Sequence, residues 1–375
     1  MGAIIFIITI LVLVLIHEFG HFIAAKRAGI RVDEFGFGFP PRLFSFKKGE
    51  TTYSFNLIPF GGFVKIFGET PDDKEDYSSE HGPDHARSLI SKPRSTQAVV
   101  MIAGVAMNFL LGWILLSGAF ISGMPTAVSD TPRGAVLSNT ALYITSVKKD
   151  SPAFLAHLSV GDKIISLSYE DKSQIKKIEN PDIRGFQQFV EGATDKNISL
   201  LYSHAGVPQN IQIVPQKNIE TGKSMLGVSI DMIGMLKLPF HQAVYTGLKT
   251  TWHMTVGIAL SLAGLVKNIF LGNANFSDVS GPIGIIGIMK TASEFGFAYL
   301  VSFIALISLN LAVINLIPFP ALDGGRVLFL IIESIKGSRI NPKIANTLNN
   351  FGFMLLILLM LVVTYHDIIK LWKPI

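Results

Sequence analysis

The stretch Ile4–Ala25, IIFIITILVLVLIHEFGHFIAA, sets charged and metal-binding side chains inside a run of residues suited to lipid. From Ala3 to Ile16 no residue is charged, and Thr9 is the only polar one. At roughly 1.5 Å of rise per residue, His17 stands about 20 Å into a hydrocarbon layer roughly 30 Å thick. His17-Glu18-Phe19-Gly20-His21 has the form H-E-x-x-H. Positions i and i+4 share a helix face, so both imidazoles can address one Zn²⁺ while Glu18 stands beside the metal as general base. Such a short motif carries little weight in a soluble helix. At membrane depth it carries more, because ionisable groups there cost several kcal/mol unless they are paired, metallated or facing a wet cavity. A signal peptide fits less well, since the run lacks a basic leading region and a small-residue cleavage site.

Composition agrees with a membrane protein that also has material outside the bilayer. The chain has 375 residues, 49% of them hydrophobic and 16% charged, with a mean hydropathy of +0.45. A net charge of +5 and a pI near 9.2 suit an anionic lipid surface. The Lys and Arg residues are dispersed, with no stripe for nucleic acid. With no cysteine, a metal must be held by His and carboxylate groups.

Lys26, Arg27 and Arg31 flank the end of the first span (1–28) and place that end in the cytoplasm and Met1 outside. Within 29–95, residues 41–64 alternate with period two. Phe44 and Phe46, a Lys47-Lys48-Gly49-Glu50 turn, then Tyr53, Phe55 and Leu57 predict a β-hairpin with one greasy face. A lone hairpin is marginal in water, so it leans on the bilayer or the helices, and its open edge suits an extended peptide. Phe55, Asn56 and Leu57 are the candidates for that contact. Glu69–Arg94 is polar and reads as an exposed loop; Gly82 and Pro83 argue against a metal pair at His81 and His85.

A second span (96–122) runs outward, with Gly104 and Asn108 on one face, which predicts close helix packing at the glycine and an Asn108 hydrogen bond across to a neighbour. Residues 123–235 alternate short β-rich runs with helical patches, a small outer domain. Its segment Ser151-Pro-Ala-Phe-Leu-Ala-His-Leu-Ser-Val-Gly-Asp-Lys-Ile-Ile165 resembles the PDZ pattern S-P-A-x-x-A-G-L-x-x-G-D-x-I, with His157 in place of a glycine. In 236–297, Phe240–Leu271 holds about a dozen strongly apolar residues, short of the ~20 a span needs, and predicts an amphipathic helix on the outer surface. Ser280-Gly-Pro-Ile-Gly284 predicts a turn.

The third span (298–325) carries Asn315-Leu-Ile-Pro-Phe-Pro-Ala-Leu-Asp-Gly-Gly325. Pro318 and Pro320 break the helix at membrane depth, which is tolerated where backbone lines a site. Asp323 is the only charged residue between Glu294 and Arg326. Running inward, this span delivers Asp323 near the cytoplasmic level of His17 and His21. A third ligand there leaves a fourth position open, the arrangement of a catalytic zinc site. A fourth span (351–371) ends outside, with His366 and Asp367 at the interface.

With H-E-F-G-H in the first span, G-x-x-x-N in the second, a PDZ-like insert, and N-x-x-P-x-P-x-L-D-G in the third, the whole chain resembles the site-2 proteases of the bacterial regulator-of-sigma-E type. The resemblance implies an intramembrane zinc metalloprotease of the inner membrane, with both termini on the periplasmic side and the active site toward the cytoplasm. It implies His17, His21 and Asp323 as ligands, Glu18 as catalytic base and Asn315 as a substrate-binding group, to which we add Asn108. Its substrates would be single-span proteins, anti-sigma factors or signal-peptide remnants, trimmed first by an upstream site-1 type protease. The expected fold is a multi-pass α-helical membrane protein of four transmembrane helices, a membrane-associated β-hairpin and one inserted PDZ-like α/β domain. One departure concerns that insert, which has room for a single PDZ-like domain where the best-known members carry two.

A membrane zinc carrier or sensor with a PDZ docking module, and an inactive scaffold, are the rival readings. Glu18→Gln separates the carrier from the protease: a carrier keeps working, whereas a protease retains zinc and loses cleavage.

Overall fold

The computed structural model describes residues 2–69, 85–128, 131, 137–171, 174–204, 206–217, 222–272, 280–294 and 296–372. Along the chain the elements begin with α1 (Gly2–Arg27), β1 (Val32–Lys48), β2 (Thr51–Ile66) and α2 (Arg94–Ser122). Next come β3 (Met124–Ala127), β4 (Leu137–Val147), α3 (Pro152–Leu155), β5 (Lys163–Asp171), β6 (Gln174–Glu179), α4 (Ile183–Gly192), β7 (Ile198–His204) and β8 (Val207–Ile213). Then follow β9 (Gln216–Lys217), β10 (Ser224–Met225), β11 (Val228–Leu236), α5 (Phe240–Phe270), α6 (Pro282–Glu294), α7 (Phe297–Leu316), α8 (Asp323–Lys336) and α9 (Pro342–Trp372). The chain divides into two compact units, Met1–Gly118 with Val244–Ile375, and Ala119–Ala243.

Among the described residues, four helices are long and apolar enough to cross a membrane: α1, α2, α7 and the Lys343–Ile369 part of α9. This is an integral membrane protein with β-sheets attached. The 31-residue helix α5 is not one of the four, in keeping with its interrupted apolar run. The spans differ from expectation at their ends. The third stops at Leu316, where Ile317 turns extended, and Asp323 opens a separate helix. The fourth starts at Pro342, ahead of the expected 351.

α1 and α2 pack with their backbones nearly touching. A Cβ on Gly20 would lie 2.3 Å from the carbonyl oxygen of Ala103, so any larger residue there forces the helices apart. Below them, Ala25, Ile30, Val32, Ile66, Leu89, Val100 and Met101 form a small core that ties the base of the β-structure to both helices.

That β-structure is longer than the expected 41–64 hairpin and is folded back on itself. The 42–48 part of β1 pairs with 51–56 as a tight hairpin. The 32–37 part pairs with 62–66 in antiparallel register on one side. On its other side, Glu34↔Thr52 through Phe37↔Phe55 rise together along both segments. The 51–56 run is therefore flanked on both sides, and the outer runs are 42–48 and 62–66. Leu43, Phe44, Phe46 and Leu57 are each more than half exposed, which leaves a greasy face on the sheet. Its turn is pinned by Glu50, which accepts from Lys26 at 2.6 Å and Arg87 at 2.5 Å.

The expected turn at Ser280–Gly284 is instead the start of α6. Pro282 occupies its first position, where a missing N–H costs nothing. Its free N–H groups are capped from far along the chain, since the Asp367 carboxylate accepts from Gly281 N at 3.2 Å and Gly284 N at 2.8 Å. Asp367 is thus buried and not interfacial. His85 falls in a short 3₁₀ turn; His81 lies outside the described residues.

In the second unit, the main sheet runs β3-β11-β4-β5-β7-β8 with β6 on β5, and all of these pairs are antiparallel. Leu142, Ile144, Ile164, Leu167, Ile198 and Leu200 alternate inward to form its core with Phe186 and Val190 of α4. Ser151 caps α3 and Asp182 caps α4 through their side-chain oxygens.

The Glu50 contacts make a pH prediction. The Lys26 ammonium and the Arg87 guanidinium hold its carboxyl below the usual carboxylate range. A depressed pKa adds stability that is present above the ordinary value and is lost as pH falls through the lowered one. The protection of the Thr51–Tyr53 amides, their exchange taken relative to the intrinsic rate at each pH, is expected to fall on acidification below the usual carboxylate range, and Glu50→Gln to show the lowered protection at neutral pH at a cost of no more than about 1 kcal/mol. Equal protection in both proteins at neutral pH would contradict the pinning.

Candidate metal centre

α1 delivers His17 and His21 one turn apart on its buried face, and α8 delivers Asp323 in its first turn. The chain between α7 and α8 gives up helical pairing at Pro318 and Pro320 and closes as short turns, Phe319 N to Ile317 O and Leu322 N to Phe319 O. Ala321 adopts a left-handed φ of 76°. Gly324 and Gly325 let the new helix start against those exposed carbonyls. A Cβ on Gly324 would lie 2.3 Å from the oxygens of Leu316 and Ile317, and one on Gly325 2.2 Å from that of Phe319. The sequence D-G-G therefore turns the carboxylate inward.

The three side chains converge. Nε2 of His17 lies 3.2 Å from Nε2 of His21, and Oδ2 of Asp323 lies 3.0 and 3.3 Å from the same two nitrogens. Zinc–ligand bonds of ~2.0–2.1 Å at tetrahedral angles separate neighbouring ligands by roughly 3.3 Å. The observed triangle fits. Both histidines are buried, and Oδ2 of Asp323 is enclosed without an aligned donor among the described residues, an acceptor whose desolvation calls for a cation. Among the described residues, this is the group of His and carboxylate side chains that could hold a metal.

α2 forms the far wall. A Cβ on Gly104 would come within 2.4 Å of His21 Nε2 and 2.8 Å of His17 Nε2, the very region that faces Asp323. One turn on, Asn108 is fully buried, with Nδ2 3.2 Å from Nδ1 of His17. His21 donates from Nδ1 to the carbonyl of Val100 at 2.8 Å. α7 docks through Ser308, whose hydroxyl donates to the Asn108 carbonyl at 2.9 Å, and through Leu309 against Gly112.

Glu18 stands beside the triangle without joining it. Its carboxylate accepts from the backbone N–H of Val64, and a Cβ on Gly62 would sit 3.6 Å from its Cγ. The outer 62–66 run of the sheet thus lies directly against Glu18. Just beyond it Glu69 forms an ion pair with Arg326, three residues past Asp323.

The substrate-contact candidates are scattered. Phe55 has neighbours on both sides of its strand, Asn56 is buried and donates its side-chain amide to the Gly38 carbonyl at 3.0 Å, and Leu57 is exposed. Asn315 is half-buried near the end of α7. The close approach of Gly104 and the Gly62–Val64 run beside Glu18 were not assigned to the site in the sequence. The first had a signal in the G-x-x-x-N spacing; the second depends on sheet register, which composition does not encode.

Comparison with known proteins adds an independent finding. The model of the family described as Peptidase family M50 matches residues 5–359. A Clostridium perfringens protein, provisionally named a zinc metalloprotease, is 34% identical over 358 residues, covering 95% of each chain. Zinc metalloprotease RasP of Geobacillus kaustophilus is 29% identical over an alignment of 440 residues, covering 97% of each. RasP of Oceanobacillus iheyensis is 30% identical, covering 98% of each.

Gly104→Ala tests the close approach of α2. The added methyl is expected to cost roughly 1–3 kcal/mol by overpacking and to strip zinc from the purified protein, as read by metal analysis. Undiminished zinc in the folded variant would contradict the observed spacing.

Proposed function

The chain belongs to peptidase family M50, the site-2 proteases, and is a zinc metalloendopeptidase; on that premise we propose that it cuts within the membrane-spanning segments of single-span proteins, with His17, His21 and Asp323 holding the zinc and Glu18 as general base. The observation that carries this reading is the 3.0–3.3 Å triangle of two imidazole nitrogens and one carboxylate oxygen, with Glu18 alongside. Zinc held there supplies Lewis acidity, which acidifies water and polarises the scissile carbonyl.

Glu18 takes one proton from the attacking water as its oxygen bonds to the carbonyl carbon. It returns that proton to the leaving nitrogen as the C–N bond breaks. A helical substrate hides its carbonyls in its own hydrogen bonds, so the cut requires an extended strand. The 62–66 edge supports a refined candidate for holding it, because its backbone adjoins Glu18. The Asn315 amide remains the second. The exposed Leu43, Phe44, Phe46 and Leu57 support seating of the sheet in lipid.

The substrates we propose are anti-sigma factors or signal-peptide remnants left by an upstream site-1 type protease. The location is the bacterial inner membrane, with both termini outside; Lys26 and Arg27 at the end of α1 support a cytoplasmic-side active site. The antiparallel unit 119–243 is the PDZ-like domain in this reading.

Purified protein incubated with a tagged single-span substrate is expected to release two fragments, to stop on addition of a zinc chelator and to resume on adding zinc. Glu18→Gln is expected to slow cleavage by about 10²–10⁴ with zinc content unchanged. Cleavage by Glu18→Gln at the wild-type rate would remove Glu18 from its role.

A further inference from the structure

Asn108 has no exposure to solvent, and its carboxamide ends on a proposed zinc ligand. Nδ2 lies 3.2 Å from Nδ1 of His17, while Oδ1 is enclosed and has no partner among the described residues. A buried amide oxygen left unpaired costs roughly 1–3 kcal/mol, so the arrangement invites an explanation. The backbone here is well held, because the Ser308 hydroxyl donates to the Asn108 carbonyl.

The two histidines differ in what fixes them. Nδ1 of His21 faces the carbonyl of Val100 at 2.8 Å, and a carbonyl only accepts. The His21 proton therefore sits on Nδ1, and its Nε2 lone pair faces Asp323. His17 directs Nε2 the same way, 3.0 Å from Asp323 Oδ2. An imidazole that ligates through Nε2 carries its proton on Nδ1 and gives it to an oxygen acceptor. The group facing His17 Nδ1 is the Asn108 amide. Turning that amide by 180° about Cβ–Cγ exchanges its oxygen and nitrogen, which occupy nearly the same space. The turn breaks no other hydrogen bond to a described residue, because the outer position has none; it places the amide nitrogen there and gains an oxygen acceptor at the ring.

We propose that Asn108 is a positioning residue for the reaction: its carboxamide oxygen accepts the Nδ1 proton of His17 and locks the tautomer that offers Nε2 to zinc. The G-x-x-x-N spacing of α2 then has two parts, Gly104 leaving room at the ligand nitrogens and Asn108, one turn on, setting the state of one of them. Complete burial also removes Asn108 from direct substrate contact. The inference rests on the reading that His17, His21 and Asp323 hold the zinc.

The test is zinc affinity of the full-length protein, by competition with a chromophoric chelator, together with the visible spectrum of the cobalt-loaded form. Asn108→Leu, similar in size with no acceptor, is expected to weaken zinc 10–100-fold and to shift the cobalt bands. Asn108→Asp, which keeps an oxygen at the same reach, is expected to restore both to near wild type. Leu equal to wild type, or Asp as weak as Leu, overturns the proposal. Should the Leu variant fail to fold, Asn108→Ala is read the same way. His17→Ala sets the floor: wild-type affinity in that variant would fail the ligand set itself, whereas loss there with unchanged Asn108→Leu fails the positioning role alone.

Discussion

Desolvation governs the arrangement of this protein. Two buried imidazoles and a partly buried carboxylate meet between apolar helices, where ionisable groups are costly unless paired or metallated. Their ligand atoms stand 3.0–3.3 Å apart, a spacing that one divalent ion satisfies. Much of the rest of the helical unit reads as provision for that meeting. Gly20 and Gly104 bring α2 up to α1, and Gly324 with Gly325 folds α8 back against the carbonyls that Pro318 and Pro320 leave free.

The same provision explains why the chain tolerates so much irregular backbone at the site. Carbonyls freed by a proline in lipid are costly unless they face protein or a cavity. Here the oxygen of Pro320 is packed by α9, where a Cβ on Gly352 would lie 2.4 Å away, and Ala321 N donates to Asn349 Oδ1 at 3.2 Å. On the other side the bent sheet brings the backbone N–H of Val64 to Glu18. An edge strand beside the proposed general base suits a peptide that must be extended before it can be cut.

The sequence made the proposed ligands legible because their chemistry is local. H-E-x-x-H on an apolar run and an isolated Asp323 behind two prolines each carry meaning without any tertiary contact. The spans were legible for the same reason, by length and hydropathy. What stayed hidden depends on distant partners. Asp367 caps α6 across more than 80 residues of chain, so Ser280–Gly284 looked like a turn and Asp367 like an interfacial residue. The sheet register was hidden too, because β1 pairs with two different parts of β2, which moved the open edge from the vicinity of Phe55 to 62–66. Gly104 looked like a packing glycine, and only the positions of the two histidines show what it packs against.

The central claim is that residues near both ends of the chain share one ion. Metal analysis of purified wild type beside Asp323→Ala tests it most directly. The account predicts stoichiometric zinc in the wild type and its loss in the variant, with cleavage lost as well. Undiminished zinc and full activity in Asp323→Ala would contradict it.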